Sequence, residues 1–258
     1  MYGRTLSRQF STDCPTGIDP VTVAALVPAW TFRPPVTADL EATTFTASPA
    51  VVDGVVYIGA WDRVMYALDA DDGTVLWTYR TAEAPGAAFG PIVSSAAVAE
   101  TSIQGQVRRL VIFGAGPFVT ALDAHDGSEV WVTGVGSGAP DDVAQVESSP
   151  LVHDGTVYVG MDVHNKPGEL TGGVRGGMLA LDLDTGRVRW KFNSEEHAGQ
   201  PASGCGGVWS SPVLDPDSGL LYFGTANCPA VNRNPDLPME EVTALDAETG
   251  RHVWTFRP

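Results

Sequence analysis

The motif Ala-Leu-Asp-x-x-x-Gly-x-x-x-Trp occurs four times, beginning at Ala67, Ala121, Ala180 and Ala244 and ending at Trp77, Trp131, Trp190 and Trp254. Spacing inside the copies never changes, while their starts lie 54, 59 and 64 residues apart. The variation therefore falls in loops, such as the one near Val163–Gly177. A chain built from such units cannot bury each unit's apolar face alone. Neighbouring units must stack, and the fold follows from that stacking.

Each copy sits in the same context. Upstream lies an apolar run with a polar start: Ser48-Pro49-Ala50-Val51-Val52, Ser148-Ser149-Pro150-Leu151-Val152 and Ser210-Ser211-Pro212-Val213-Leu214. Asp53-Gly54 or Asp154-Gly155 then separates this run from a second one, and Asp-Gly between β-prone runs is a strong hairpin signal. The motif supplies two further strands, one running into Ala-Leu-Asp and one holding the Trp, joined by a tight turn at Asp and Gly. Each unit thus reads as a four-stranded antiparallel meander. Four such meanders in tandem, each with one fixed aromatic, predict an all-β fold, a β-propeller. A β-sandwich would not need the same motif four times. The expected blades cover about 45–82, 92–135, 146–193 and 208–258 of one domain spanning 1–258. Trp77, Trp131, Trp190 and Trp254 are expected to pack between blades rather than to do chemistry.

The pentapeptide Trp30–Pro34 recurs word for word at Trp254–Pro258. Both read as an outermost strand, yet the fourth unit already owns one. Residues 1–35 are therefore expected to lead in with the outer strand of a closing blade, and the chain to be about half of a larger propeller.

The formal net charge of −16 argues against nucleic acid or an anionic membrane as partner, since both select basic patches. No apolar stretch reaches the roughly 18 residues of a transmembrane helix. The five histidines are scattered, with His125 and His153 in expected turns. Three cysteines are present. A hairpin turning at Asp215–Gly219, with Leu214 set opposite Leu220, brings Cys205 near Cys228. The two form either a disulfide suited to an oxidising compartment or two free thiols. Cys14 has no assignable partner.

The repeat closely resembles that of the pyrroloquinoline-quinone (PQQ) dehydrogenase superfamily, and the resemblance covers nearly the whole chain. It implies Trp-docked blades in an eight-bladed ring. Met1-Tyr2-Gly3-Arg4 resembles the start of those enzymes' propeller domain, and Val23–Phe32 is similar to the segment that gives the closing blade its outermost strand. The stretch Gly204-Cys205-Gly206-Gly207-Val208-Trp209, followed by Asp215-Pro216 and Leu220-Leu221-Tyr222-Phe223-Gly224-Thr225-Ala226-Asn227, resembles the alcohol dehydrogenases' pattern G-G-G-x-x-W … D-P … L-L-Y-x-G-T-G-N. The resemblance implies that Trp209 lies under the PQQ ring and that Asn227, 18 residues later, is a Ca²⁺ ligand. The alternative is that Trp209 packs in the channel and Asn227 caps a turn.

The chain also departs from the pattern. Gly173-Val174-Arg175-Gly176 matches, but Thr171 stands where the family has a Ca²⁺-binding Glu; Asp162 or Glu169 are weaker substitutes. The adjacent cysteine pair that family enzymes stack on the quinone is missing, and the family's catalytic Asp would fall beyond Pro258. No catalytic residue is therefore assigned, and the fragment itself is expected to be inactive. Gly206-Gly207-Val208-Trp209-Ser210-Ser211-Pro212 follows the form seen in polyvinyl-alcohol-dehydrogenase-like members. The implied activity is oxidation of a small or polymeric alcohol, with electrons passing to an acceptor such as cytochrome c, in the periplasm or outside the cell. The competing reading is a binding or scaffold propeller of the cell envelope that has blades but no cofactor.

Overall fold

The computed structural model describes residues 3, 5–9, 16–35, 43–83, 90–136, 144–163, 175–200, 205–227 and 236–258. Four antiparallel sheets follow one another along the chain. The first contains β1 (Ala50–Val52), β2 (Val55–Gly59), β3 (Val64–Asp69) and β4 (Val75–Arg80); the second contains β5 (Ala97–Ile103), β6 (Gln106–Ala115), β7 (Phe118–Asp123) and β8 (Glu129–Gly134). The third contains β10 (Leu151–His153), β11 (Thr156–Val163), β12 (Gly177–Asp182) and β13 (Val188–Asn193), with the two-residue β9 (Ala144–Gln145) added on β11. The fourth contains β14 (Val213–Asp215), β15 (Leu220–Gly224), β16 (Val242–Asp246) and β17 (His252–Phe256). Two short helices complete the described elements, η1 (Thr22–Ala25) and α1 (Ser194–His197). The strands pair in chain order in every blade, so the propeller of meanders is the observed fold. His153 ends strand β10 rather than lying in a turn.

The repeated motif builds the same turn four times. The Asp amide donates to the carbonyl five residues on, and the Gly amide donates back to the Asp carbonyl, at 2.8–2.9 Å in all four copies. The Gly takes φ between +68° and +76°, a left-handed conformation costly for any residue with a Cβ. In the last two copies the Asp carboxylate also accepts from the amide and hydroxyl of Thr185 or Thr249. The Thr249 hydroxyl, then its amide, hold the Asp246 carboxyl below the usual carboxylate range.

That turn is where the preceding blade docks. The Trp77 indole N–H donates to the Ala124 carbonyl, that of Trp131 to Leu183 and that of Trp190 to Ala247, at 2.9–3.0 Å. Each ring lies on the turn glycine of the next blade, where a Cβ on Gly127, Gly186 or Gly250 would come within 2.5–2.6 Å of the indole. The main cores accordingly lie between sheets: Trp77 packs with Val111 and Phe113, and Trp131 with Val157 and Val159. Trp30 repeats this geometry on the first blade, donating to the Ala70 carbonyl at 2.9 Å and lying on Gly73. Residues 26–35 form no strand, however; Trp30, Phe32 and Phe45 instead pack against the Tyr66 and Leu68 side of the first sheet. At the other end Trp254 is 40% exposed, against 9% for Trp77 and 7% for Trp131.

A second set of ties runs along the inner strands. The amide of Ser48 donates to the Ser95 hydroxyl, that of Ser95 to Ser149 and that of Ser149 to Ser211, at 2.8–3.1 Å. Each serine thus links its blade to the next. Beneath this ladder the buried Arg8 guanidinium donates to the Pro212 and Ser149 carbonyls at 2.9 and 2.8 Å, bolting the N-terminal turn across the third and fourth blades.

The seam between the third and fourth blades carries a stacked histidine pair, His197 and His252, with ring centroids 4.1 Å apart and Phe192 alongside. Burial, and then the His197 charge, push the His252 imidazole below its ordinary value, against an opposing pull from Glu241. Neutral His252 is therefore favoured in the folded state. Its contribution is intact above the unfolded value of about 6.5 and is lost as pH falls from there through its lower folded value. The expected result is a thermal midpoint that declines as pH is lowered from 7 to 5, with a shallower slope for His252→Asn than for the wild type.

Candidate functional site

The hairpin β14–β15 carries the expected site. Its register differs by one residue from the sequence expectation: Leu214 pairs with Leu221, and Asp215 with Leu220. The Asp215–Gly219 turn closes through a Gly219 amide to Asp215 carbonyl bond of 2.9 Å, which sets Asp215 opposite Leu220. The pairing continues beyond the strands. Ser210 Oγ accepts from the Gly224 amide at 3.2 Å and donates to its carbonyl at 2.9 Å, and the Ala226 amide donates to the Gly207 carbonyl at 2.7 Å. Trp209 and Asn227 consequently stand at the same open end of the hairpin, both exposed.

Trp209 is 55% exposed although its neighbours Val208 and Cys205 are wholly buried. Its side chain lines a hollow of about 240 Å³ together with Thr46, Trp61, Val93 and Glu147. Thr46, Val93, Glu147 and Trp209 occupy equivalent positions, each two residues before the ladder serine of its blade. The hollow therefore lies at the centre of the blade array, with one wall from each of four blades. Trp61 adds a second indole, fixed by its N–H donating to Thr46 Oγ1 at 3.0 Å.

The backbone behind Trp209 is tightly confined. The Val208 amide donates to the Met161 carbonyl at 3.0 Å, and the Cys205 amide to Glu195 Oε1 at 3.1 Å. A Cβ on Gly207 would lie 1.7 Å from Asp162 Oδ1, and a Cβ on Gly176 would lie 2.3 Å from the Gly207 Cα. Asp162, a weaker metal candidate from sequence, is thus buried with its carboxylate against the loop. Cys205 is disulfide-bonded. Cys228, Cys14, Glu169 and Thr171 lie outside the described residues. Among the described residues no group of three or more His, Cys, Asp or Glu is arranged to hold a metal.

The whole chain, residues 1–258, matches the family described as PQQ, the glucose/ethanol/alcohol dehydrogenase beta-propeller domain. The chain belongs to this family. It is 28% identical to the quinohemoprotein alcohol dehydrogenase ADH IIB of Pseudomonas putida, over 99% of this chain and 39% of that protein. It is 26% identical to a polyvinylalcohol dehydrogenase of a Pseudomonas species, over 92% of this chain and 37% of that one. The solved structure of quinohemoprotein alcohol dehydrogenase ADHIIG from P. putida aligns with TM-score 0.67 at 25% identity, covering 89% of this chain and 35% of that chain. The chain spans a little over a third of the length of these curated relatives.

A flat conjugated quinone fits the platform that Trp209 offers, because an exposed indole face on a fixed backbone gives such a ring a surface to lie on. Thr46 adds a hydroxyl. Glu147 carries the same charge sign as the carboxylates of PQQ, so these five residues would offer such a group stacking rather than charge neutralisation.

Proposed function

We propose that this chain forms part of a PQQ-binding quinoprotein that oxidises alcohols and delivers the electrons to an external acceptor such as a cytochrome c. The observation that carries the reading is Trp209, an exposed indole on a confined loop facing the central hollow. Family membership and the names of the relatives support it. When bound, PQQ would supply the electrophilic carbonyl that accepts hydride from the alcohol carbon. Trp209 would carry the ring on one face, with Trp61 and Val93 as further apolar walls of the hollow. Ca²⁺ belongs to the same proposal, and Asn227 would give it one neutral oxygen of the six to eight it takes. The likeness to a polyvinylalcohol dehydrogenase favours a polymeric or secondary alcohol as substrate, and the disulfide at Cys205 favours a periplasmic or extracellular setting.

The 40% exposed Trp254 supports a ring larger than four blades, since every other motif Trp lies on the turn of a following blade. Residues 1–258 alone are accordingly expected to give no turnover. Dye-linked oxidation of 2-propanol and polyvinyl alcohol by the native gene product, with and without PQQ and Ca²⁺, tests the reading. PQQ-dependent dye reduction is expected; none with either alcohol would remove the dehydrogenase assignment.

A further inference from the structure

We propose that Glu195 is a positioning residue for Trp209, acting through the backbone of Cys205. For PQQ the inference rests on the function proposed above; for the indole itself it does not.

Residues 205–209 lie outside any strand, yet Cys205, Gly206, Gly207 and Val208 are buried. Buried backbone without a ladder must find its hydrogen-bond partners elsewhere. Two of the anchors are main-chain bonds: the Val208 amide to the Met161 carbonyl on β11, and the amide of Ala226, just past β15, to the Gly207 carbonyl. The side-chain anchor is Glu195 Oε1, which accepts from the Cys205 amide at 3.1 Å. Glu195 is wholly buried on α1, the single turn that follows the outer strand of the third blade. Taking a carboxylate out of water is costly, and a hydrocarbon would fill the same space without that cost. Among its contacts the carboxylate supplies an acceptor for an amide at the start of the Trp209 loop.

Cys205 is therefore fixed twice, at its amide by Glu195 and at its sulfur by a disulfide. Gly206 lies against the Ser194 side chain of the same turn, where a Cβ would come within 2.7 Å, and Gly207 is wedged between Asp162 and Gly176. The tie thus links the outer edge of one blade to the inner lead-in of the next. The backbone is held from Cys205 to Val208, and Trp209 is the first residue of the segment with an exposed side chain. A stacking platform fixed before its ligand arrives loses less freedom on binding.

The test is acrylamide quenching of Trp209, read as the difference between each protein and its counterpart carrying Trp209→Phe. Glu195→Gln keeps an acceptor oxygen in place, so the Trp209 quenching constant is expected to stay near the wild-type value. Glu195→Ala removes the acceptor and is expected to raise it at least about twofold and to weaken PQQ binding about tenfold, the scale of one lost hydrogen bond to a charged group. If Glu195→Ala does not fold, Glu195→Asp, which draws the carboxylate back by one methylene, is expected to shift quenching in the same direction. An unchanged Trp209 signal in the folded Ala variant, or in Asp if Ala fails, overturns the inference. So does a Gln variant as disturbed as Ala. Failure of the wild-type chain to bind PQQ would instead remove the cofactor reading and leave the quenching comparison standing.

Discussion

Replacing Gly186 by Ala is expected to lower the thermal midpoint by about 10 °C. Gly186 has φ +68°, and an added Cβ would lie 2.6 Å from both the Trp131 ring and Thr133 Oγ1. The left-handed backbone costs a non-glycine residue about 1–2 kcal/mol, and forcing a methyl into a packed seam about 1–3 more. A total of about 3–4 kcal/mol converts at roughly 2–4 °C per kcal/mol for a domain of this size. Trp131 cannot yield easily, because it is 7% exposed and its N–H is held by the Leu183 carbonyl. Gly134→Ala is the control: its Cβ would meet only Phe118, at 3.9 Å, and the midpoint should barely move. Differential scanning calorimetry of the two variants against wild type checks both statements. Equal midpoints would mean that the motif glycine is not the docking surface.

Gly207→Ala is the prediction with the largest effect on the site. Here backbone conformation is not the obstacle; space is. The new Cβ would stand 1.7 Å from Asp162 Oδ1, and Asp162 is buried on β11 with little room to move. The loop must shift away, carrying Trp209 with it. Losing the stacking contact costs about 1–3 kcal/mol, so PQQ is expected to bind about 10- to 100-fold more weakly. Far-UV circular dichroism should stay unchanged, because the four sheets do not depend on this loop. Isothermal titration of PQQ into variant and wild type measures the difference; wild-type affinity in the variant would show that the loop does not set the site.

The blades could be read from the sequence because their determinants are local. Asp, Gly and Trp sit at fixed offsets within one turn and one strand, so a repeat of eleven residues reports both the turn and the docking aromatic. The placement of Trp209 and Asn227 at one hairpin end was legible for the same reason: a short turn fixes which residues share an end, although the pairing is one residue from the count. What the sequence does not display are contacts across blades. The serine that opens each run looks like part of a strand entrance, yet Ser95 and Ser149 are each linked to the serine of the next blade, 54 and 62 residues away. Arg8 reaches carbonyls 141 and 204 residues distant, and no periodicity announces such a bond. Asp162 resembled a loose metal ligand and is a buried wall of the Trp209 loop. Glu195 stands in no sequence motif, yet it is wholly buried.

The proposed function depends on Trp209 as the platform for the quinone. The most direct measurement is an equilibrium titration of PQQ in the presence of Ca²⁺, following the fluorescence that Trp209 contributes, taken as wild type minus Trp209→Phe. Stacking predicts saturable quenching of that component, and a Trp209→Ala protein that binds PQQ about 10- to 100-fold more weakly, since base-like stacking on an aromatic contributes about 1–3 kcal/mol. PQQ binding of unchanged strength in Trp209→Ala, with no quenching assignable to Trp209, would contradict the account.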